Sequence, residues 1–168
     1  MLIKAKGLSK IYGSGENQVV ALDKANLTIA PGDFISIIGP SGSGKSTLLH
    51  LLSGLDHPTS GSLTYDGQEI YTLPDKALSA FRRRQMGFIF QQFNLLPVLT
   101  AQENILMPLL LDKKQPDEGY LNQLAELLGL RERMGKTLVI ITHDNRIAAA
   151  ADRQLTIMDG VLSEVEAG

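Results

Sequence analysis

The sequence contains no cysteine and no tryptophan, and only 5% of its 168 residues are aromatic. The lack of cysteine excludes a disulfide framework, thiolate metal sites and a cysteine nucleophile. Neither sign of charge dominates, because 16 basic and 18 acidic residues give a net charge of −2. A general nucleic-acid binder would carry a basic excess, so we expect no nucleic-acid partner.

Long hydrophobic runs are also lacking. The most apolar stretch, residues 105–111, is interrupted by Pro108 and is far too short for a bilayer helix. Residues 1–7 lack the apolar region of a signal peptide, and we therefore expect a cytoplasmic protein. The hydrophobic share of 43% is nonetheless sufficient for a core, and the length suits one domain spanning residues 1–168.

Short apolar runs separated by turns and helical segments predict an α/β fold. Phe34–Ile38 and residues 137–142 are almost continuously apolar, as in strands of a parallel sheet that helices cover on both faces. Asp66-Gly67 and Asp159-Gly160 each lie between β-prone runs and predict two-residue hairpin turns. Residues 75–84 are predicted to be helical.

One motif indicates a specific chemistry. Residues 39–46 match the phosphate-loop pattern G-x-x-x-x-G-K-[ST] in full, after a predicted buried strand and before a helix. Its glycines let backbone N–H groups approach phosphate oxygens, and the following helix points its positive end at the same anion. Lys45 can reach the β- and γ-phosphates, and the Ser46 hydroxyl can ligate Mg²⁺. The residues expected to hold a nucleoside triphosphate are Gly39, Ser41, Gly42, Ser43, Gly44, Lys45, Ser46 and Thr47.

Other motifs accompany the phosphate loop in a fixed order. They are Tyr12 ahead of Val20-Ala21-Leu22, residues 54–61, residues 87–97 and residues 140–144. Together these motifs resemble the ATP-binding subunit of an ABC transporter, most closely the subgroup serving lipoprotein release, macrolide export and the cell-division permease. The resemblance covers nearly the whole chain. It implies a P-loop NTPase fold of the ABC type, with an N-terminal antiparallel β subdomain, a parallel core sheet and a helical subdomain at about residues 92–134.

The resemblance also implies roles for individual residues. Tyr12 corresponds to the aromatic residue that stacks on adenine, Gln91 to a glutamine that contacts Mg²⁺ and the attacking water, and His143 to a switch histidine at the γ-phosphate. The implied catalytic set is His143, Gln91 and Lys45, and the implied metal set is Ser46 and Gln91. From the residues alone, a half-buried aromatic at a strand end is the favoured interpretation of Tyr12, and Gln91 could be a polar loop residue. A lone histidine is more often structural, although His143 follows a strand at the end where ligand sites of α/β proteins lie.

The cofactors and partners of such a subunit follow from the same resemblance. They are ATP and Mg²⁺, two permease subunits in the inner membrane, and a second ATP-binding protomer. The protein would lie on the inner face of the cell membrane.

Two elements of the family are missing from this sequence. It contains no Leu-Ser-Gly-Gly-Gln signature, and no apolar strand ending in Asp-Glu, the Walker B element that holds Mg²⁺ and supplies the catalytic carboxylate. The residues up to Met134 resemble the family sequence that precedes the signature. The residues from Gly135 resemble the family sequence that precedes the switch histidine. One internal segment is therefore missing between them. We expect a truncated helical subdomain, impaired hydrolysis, and an unpaired, aggregation-prone edge on the strand at residues 137–142.

Three hypotheses remain open at this point. The protein itself has the segment that this sequence lacks, or it is a natural or engineered short form that serves as a weak nucleotide-binding module. The third hypothesis, a small P-loop kinase, needs an arginine-rich lid, and only residues 82–84 offer one. That run is more simply a solvated helix face. The kinase would also leave Tyr12, Gln91 and His143 unexplained.

Overall fold

The computed structural model describes residues 1–87, 98, 107, 111, 137–142 and 148–165. These residues form two four-stranded sheets and two α-helices, together with short 3₁₀ turns at Gly15–Asn17 and Ile70–Thr72. In chain order the strands and helices are β1 (Ile3–Tyr12), β2 (Val19–Ile29), β3 (Phe34–Ile38), α1 (Lys45–Leu52), β4 (Ser60–Tyr65), β5 (Gln68–Glu69), α2 (Asp75–Gln85), β6 (Leu138–Ile141), β7 (Arg153–Met158) and β8 (Val161–Val165).

The first sheet is antiparallel throughout, in the order β2-β1-β4-β5. At the start of β1, buried Ile3 and Ala5 alternate with exposed or half-buried lysines, as expected of a strand with one face on the core. The β4–β5 hairpin turns at Asp66 (φ 48°) and Gly67 (φ 86°), both left-handed, as a type I′ turn requires. The predicted antiparallel β subdomain and its hairpin are therefore confirmed.

The second sheet has the order β6-β3-β7-β8. Strand β3 is parallel to both β6 and β7, and the Asp159-Gly160 turn makes β8 antiparallel to β7. Residues 34–37 of β3 are buried, because the strand lies between two neighbours and under α1. The predicted parallel core sheet is thus confirmed, with one antiparallel strand added at its end.

Strand β6 is less buried than its apolar sequence predicts. All four of its residues are only partly buried, in contrast to those of β3. Within the described part of the chain, β6 has a strand neighbour on one side alone, which accounts for the difference. The expected free edge at residues 137–142 and its tendency to aggregate both stay predictions, because most of residues 88–136 lie outside the described part of the chain.

One hydrophobic core joins the two sheets through α1. Leu48, Leu51 and Leu52 of this helix are at most 4% exposed. At its C-terminal end, the buried Tyr65 hydroxyl donates a hydrogen bond to the carbonyl of Leu52 and the Tyr71 hydroxyl to that of Leu51. Tyr65 therefore satisfies a carbonyl of the last helical turn, while the Leu51 carbonyl accepts both from Tyr71 and from the backbone N of Gly54 at 3.0 Å.

Helix α2 packs on the residues that follow α1. A Cβ added to Gly54 would lie 3.1 Å from Leu78 Cδ1, so this glycine permits the close approach. Arg82 Nη1 donates to the Gly54 carbonyl at 2.8 Å, and its Nη2 donates to Ser79 Oγ at 3.0 Å. The prediction of a solvated arginine face is therefore wrong for Arg82, because its guanidinium fastens α2 to the loop after α1.

Arg153 at the start of β7 ties the two sheets together. It makes a bidentate pair with Glu164 of β8, at 2.7 and 3.1 Å. Its Nη1 donates to the Thr28 carbonyl of β2 at 2.7 Å and to Asp33 Oδ2 at 3.1 Å. One guanidinium thus joins β2, β7 and β8.

Several predictions fall on residues that the structure does not describe. These are the helical subdomain at about 92–134, the junction between Met134 and Gly135, and the side chains of Gln91 and His143. Among the helices that are described, none is both long and apolar enough to cross a membrane.

Candidate functional site

The phosphate loop connects the end of β3 to the start of α1. Gly42 and Gly44 both have positive φ, at 77° and 105°, a region that residues with a Cβ rarely occupy. Gly44 stands immediately before α1 and is its N-cap residue. The loop therefore places the N-terminal N–H groups of α1 at the carboxyl end of β3, where ligand sites of α/β sheets lie.

Lys45 folds back into this loop. It is only 6% exposed, and its Nζ donates to the carbonyl oxygens of Gly39 at 2.9 Å and Pro40 at 2.6 Å. An ammonium group has three donors, and the hydrogen bonds within the described residues use two of them. The charge of Lys45 is thus held within the curve of the loop with a donor left for an anion.

The hydroxyl oxygen of Ser43 is a buried polar atom that is available to bind a ligand. The residue is 4% exposed, and its Oγ has no hydrogen-bond partner among the described residues. A Cβ added to Gly39 would lie 3.0 Å from that oxygen, so Ser43 Oγ and Lys45 Nζ both lie against Gly39. An unsatisfied buried hydroxyl costs about 1–3 kcal/mol. A phosphate oxygen beside Lys45 would satisfy it, and the loop therefore fits a bound phosphate.

The predicted phosphate-binding side chains differ in their exposure. Ser41, Gly42 and Ser46 are exposed, Thr47 is half-buried, and Ser43 and Lys45 are buried. The Ser46 hydroxyl is thus accessible to a metal ion. Of the predicted metal pair, Gln91 lies outside the described residues, and the described residues hold no cluster of three or more histidine or acidic side chains that could bind a metal.

The rear of the loop is formed by the backbone of distant strands. A Cβ on Gly44 would lie well under 3.0 Å from the Ala21 carbonyl oxygen of β2, and one on Gly39 equally close to that of Ile157 in β7. Gly160 N donates to the Ser43 carbonyl at 3.0 Å. Sequence reasoning interpreted Asp159-Gly160 only as a turn, because no local signal shows that it packs behind the loop.

Tyr12, the predicted adenine contact, lies beside the phosphate-loop helix. It ends β1 and is 41% exposed. Its hydroxyl donates to Asp56 Oδ2 at 2.8 Å and lies near the side chain of Thr47. The fold therefore brings Tyr12 together with a predicted phosphate-binding residue, across an antiparallel sheet and a helix.

Asp56 and Lys10 complete a polar cluster that the sequence did not reveal. Lys10 Nζ lies 2.6 Å from Asp56 Oδ1 and also donates to the His57 carbonyl at 2.7 Å. Burial by itself would raise the pKa of Asp56, but the hydrogen bonds from Lys10 and Tyr12 lower it below its usual value. Burial and the bond to Asp56 raise the pKa of the Tyr12 hydroxyl. At neutral pH Asp56 is therefore ionised and Tyr12 is the donor.

Comparison with known proteins supports the motif analysis. Residues 22–164 match the family model described as ABC transporter. The lipoprotein-releasing system ATP-binding protein LolD of Geobacter metallireducens is 44% identical over 135 residues, covering 79% of this chain and 60% of that protein. The macrolide export ATP-binding/permease protein MacB of Hyphomonas neptunium is 34% identical over 216 residues, covering 95% of this chain and 34% of that protein. The chain thus spans less than two thirds of the length of either relative.

A third relative, the ABC transporter ATP-binding protein MJ0796 of Methanocaldococcus jannaschii, aligns almost end to end. It is 49% identical over 227 residues, covering 98% of this chain and 97% of that protein. An alignment of 227 positions exceeds the 168 residues of the chain, so at least 59 positions of the alignment have no residue here. A dimeric MJ0796 structure bound to ADP and Pi superposes with a TM-score of 0.85 and 30% identity among spatially paired residues, covering 99% of this chain and all of that one.

Proposed function

This chain belongs to the ABC transporter family, and on that premise we propose that it binds Mg-ATP as the ATP-binding subunit of a transporter. The observation that carries the proposal is that the buried Lys45 ammonium and the buried Ser43 hydroxyl, which has no partner in the described part of the chain, both lie against Gly39. A polyphosphate binds to positive charge and to free hydrogen-bond donors, and this glycine loop offers both.

Each residue of the site has a proposed role. Lys45 and Ser43 bind phosphate oxygens, Ser46 ligates Mg²⁺, and the Thr47 hydroxyl bonds a phosphate oxygen. Tyr12 offers its ring to the base, an interaction worth roughly 1–3 kcal/mol. Bound at the Ser46 hydroxyl, Mg²⁺ would neutralise part of the phosphate charge. Gln91 and His143 are proposed, from the family resemblance, to complete the site at the metal and the γ-phosphate.

We propose further that residues 1–168 form one incomplete ABC-type domain that hydrolyses ATP poorly. The chain lacks the Asp-Glu strand and the signature sequence, and the MJ0796 alignment leaves at least 59 positions without a residue here. Phosphoryl transfer depends on positioned charge and an oriented water. Loss of an activating carboxylate costs about 10²- to 10⁴-fold in rate. The alternative is a non-hydrolysing short form that acts as a nucleotide-binding module.

The names of the relatives suggest the partners. LolD belongs to a lipoprotein-releasing system, MacB joins an ATP-binding part to a permease, and MJ0796 has been solved as a dimer. We therefore propose that this chain pairs with a second ATP-binding protomer and docks on permease subunits at the inner face of the cell membrane.

Thermal unfolding with and without Mg-ATP tests nucleotide binding. At a ligand concentration a hundred times Kd, binding stabilises by about 2.7 kcal/mol, or roughly 5–10 °C in Tm for a chain of this size. Lys45→Ala should remove the shift. Lys76→Ala, which changes an exposed lysine on α2, is the matched control and should keep it. Absence of a shift at millimolar ATP in the unaltered protein would contradict the proposal.

Intact mass and steady-state turnover test the proposal on hydrolysis. A mass clearly above 18.2 kDa shows that the protein possesses the segment that this sequence lacks. A mass of 18.2 kDa with ATP binding and no turnover supports the short binding module. Sustained turnover by a chain of verified mass, abolished in Lys45→Ala, would refute the proposed impairment.

A further inference from the structure

Asp56 is a fixed point between the end of α1 and the end of β1. Its backbone N donates to the His50 carbonyl at 3.3 Å, and its Oδ1 accepts from the backbone N of His57 at 2.7 Å. The same oxygen accepts from Lys10 Nζ at 2.6 Å, and the other, Oδ2, accepts from the Tyr12 hydroxyl at 2.8 Å. The carboxylate is therefore held by its own segment and presents one oxygen to Tyr12.

These contacts determine how the Tyr12 ring is presented. The hydroxyl is anchored by Asp56, and Lys10 Nζ lies 4.9 Å from the ring centroid. A cation over one face of an aromatic ring leaves the opposite face as the surface for stacking. Without the anchor, a tyrosine 41% exposed at a strand end could occupy several rotamers.

We propose that Asp56 is a positioning residue for the nucleobase, which holds the Tyr12 ring beside the phosphate loop in the orientation that accepts adenine. The inference rests on the proposed function, since it assumes that an adenine nucleotide occupies the site. Asp56 holds the Tyr12 hydroxyl directly, so it sets the orientation in which the ring meets the base. Phosphate binding itself does not require Asp56.

A simple charge effect predicts the opposite change in ATP affinity, so the direction of the measured change tests the proposal. Asp56 is an anion close to a site for a polyanion, so its removal should by electrostatics alone tighten the binding of any polyphosphate. Positioning predicts weaker binding of ATP instead. It predicts no weakening for tripolyphosphate, which carries the phosphates without a base.

The test is titration calorimetry of the unaltered chain, Asp56→Ala and Tyr12→Phe with Mg-ATP and with Mg-tripolyphosphate. Complete loss of base stacking corresponds to roughly 5- to 150-fold in affinity. We expect ATP to bind at least about 5-fold more weakly to both variants, near the lower end of that range. Tripolyphosphate should bind unchanged or more tightly. Asp23→Ala removes one exposed negative charge from β2 and should weaken neither ligand.

Each result of these titrations either supports or overturns the inference. Unchanged or tighter ATP binding by Asp56→Ala overturns the inference, and so does equal weakening of both ligands, which indicates general damage to the loop. Should Asp56→Ala fail to fold, Tyr12→Phe decides alone, because it keeps the ring and removes only the anchored hydroxyl. In the Tyr12→Phe background, Asp56→Ala should add little further loss. If the unaltered chain binds neither ligand, the proposed function fails and this inference fails with it.

Discussion

Two glycines of the phosphate loop provide a matched pair of perturbations. Gly42 and Gly44 both have positive φ, so an alanine at either position adopts a strained backbone at a cost of about 1–2 kcal/mol. Their surroundings differ. A Cβ on Gly42 meets nothing within 4 Å, whereas one on Gly44 would lie well under 3.0 Å from the Ala21 carbonyl oxygen.

The difference in stability between the two variants reports on the steric conflict with β2. Real Cβ atoms do not approach other atoms so closely, and in Gly44→Ala the backbone of β2 or of the loop must move. Overpacking of this kind costs about 1–3 kcal/mol, giving a total near 2–5 kcal/mol for Gly44→Ala against about 1–2 kcal/mol for Gly42→Ala. At roughly 2–4 °C per kcal/mol, Tm should fall by about 4–20 °C and 2–8 °C respectively.

Melting curves followed by circular dichroism, without nucleotide, measure both shifts under the same conditions. Gly44→Ala should be the less stable variant, because a φ of 105° strains an alanine at least as much as a φ of 77° and the steric conflict is present at Gly44 alone. Equal losses for the two variants would refute the claim that β2 closes the rear of the loop. A greater loss for Gly42→Ala would do so as well.

Two further predictions concern stability away from the loop. Tyr65→Phe leaves the Leu52 carbonyl without its tyrosine donor and should lower the free energy of unfolding by about 1–2 kcal/mol. Urea denaturation with an unchanged m value is the measurement, and a loss below the error would contradict the helix-capping role. The hydrogen bond from Arg153 lowers the pKa of Glu164 below its ordinary value of 4.5, so the pair stabilises the fold above that pH and the contribution disappears as pH falls below it. Because the Glu164 side chain is 51% exposed, Glu164→Gln should cost no more than about 1 kcal/mol at pH 7, with a difference that shrinks below about pH 4. A difference that persists unchanged into acid would argue against the ion pair.

Much of the fold could be predicted from local sequence. The buried strand Phe34–Ile38, the phosphate loop and the two aspartate-glycine turns all carry signals within a few residues, and all are where they were expected. The second sheet could be assigned because nearly continuous apolar runs favour a parallel, covered strand. The solvated face predicted for residues 82–84 was wrong at Arg82, because its partner is a backbone carbonyl that no side-chain pattern reveals.

The candidate site was predictable only in part, for the same reason. Lys45 and Ser43 belong to a contiguous motif, whereas Asp56 and Lys10 act through tertiary contacts with Tyr12. A lone aspartate after a helix gives no indication of which side chain will reach it. The contacts of Gly44 and Ser43 with the backbones of β2 and the β7–β8 turn are likewise invisible in sequence, since any residue supplies a carbonyl or an N–H.

The hydrogen bond from Gly160 to Ser43 also has a consequence for the order of folding. It joins the phosphate loop to a turn more than a hundred residues further along the chain, and Ile157 closes on Gly39 across a similar separation. During synthesis, the N-terminal sheet, α1 and α2 can form early because their contacts are nearby in sequence. The part of the rear wall made by Ile157 and Gly160 cannot form until the β7–β8 hairpin has left the ribosome. The phosphate loop therefore gains its full support later than the N-terminal sheet that holds its other side.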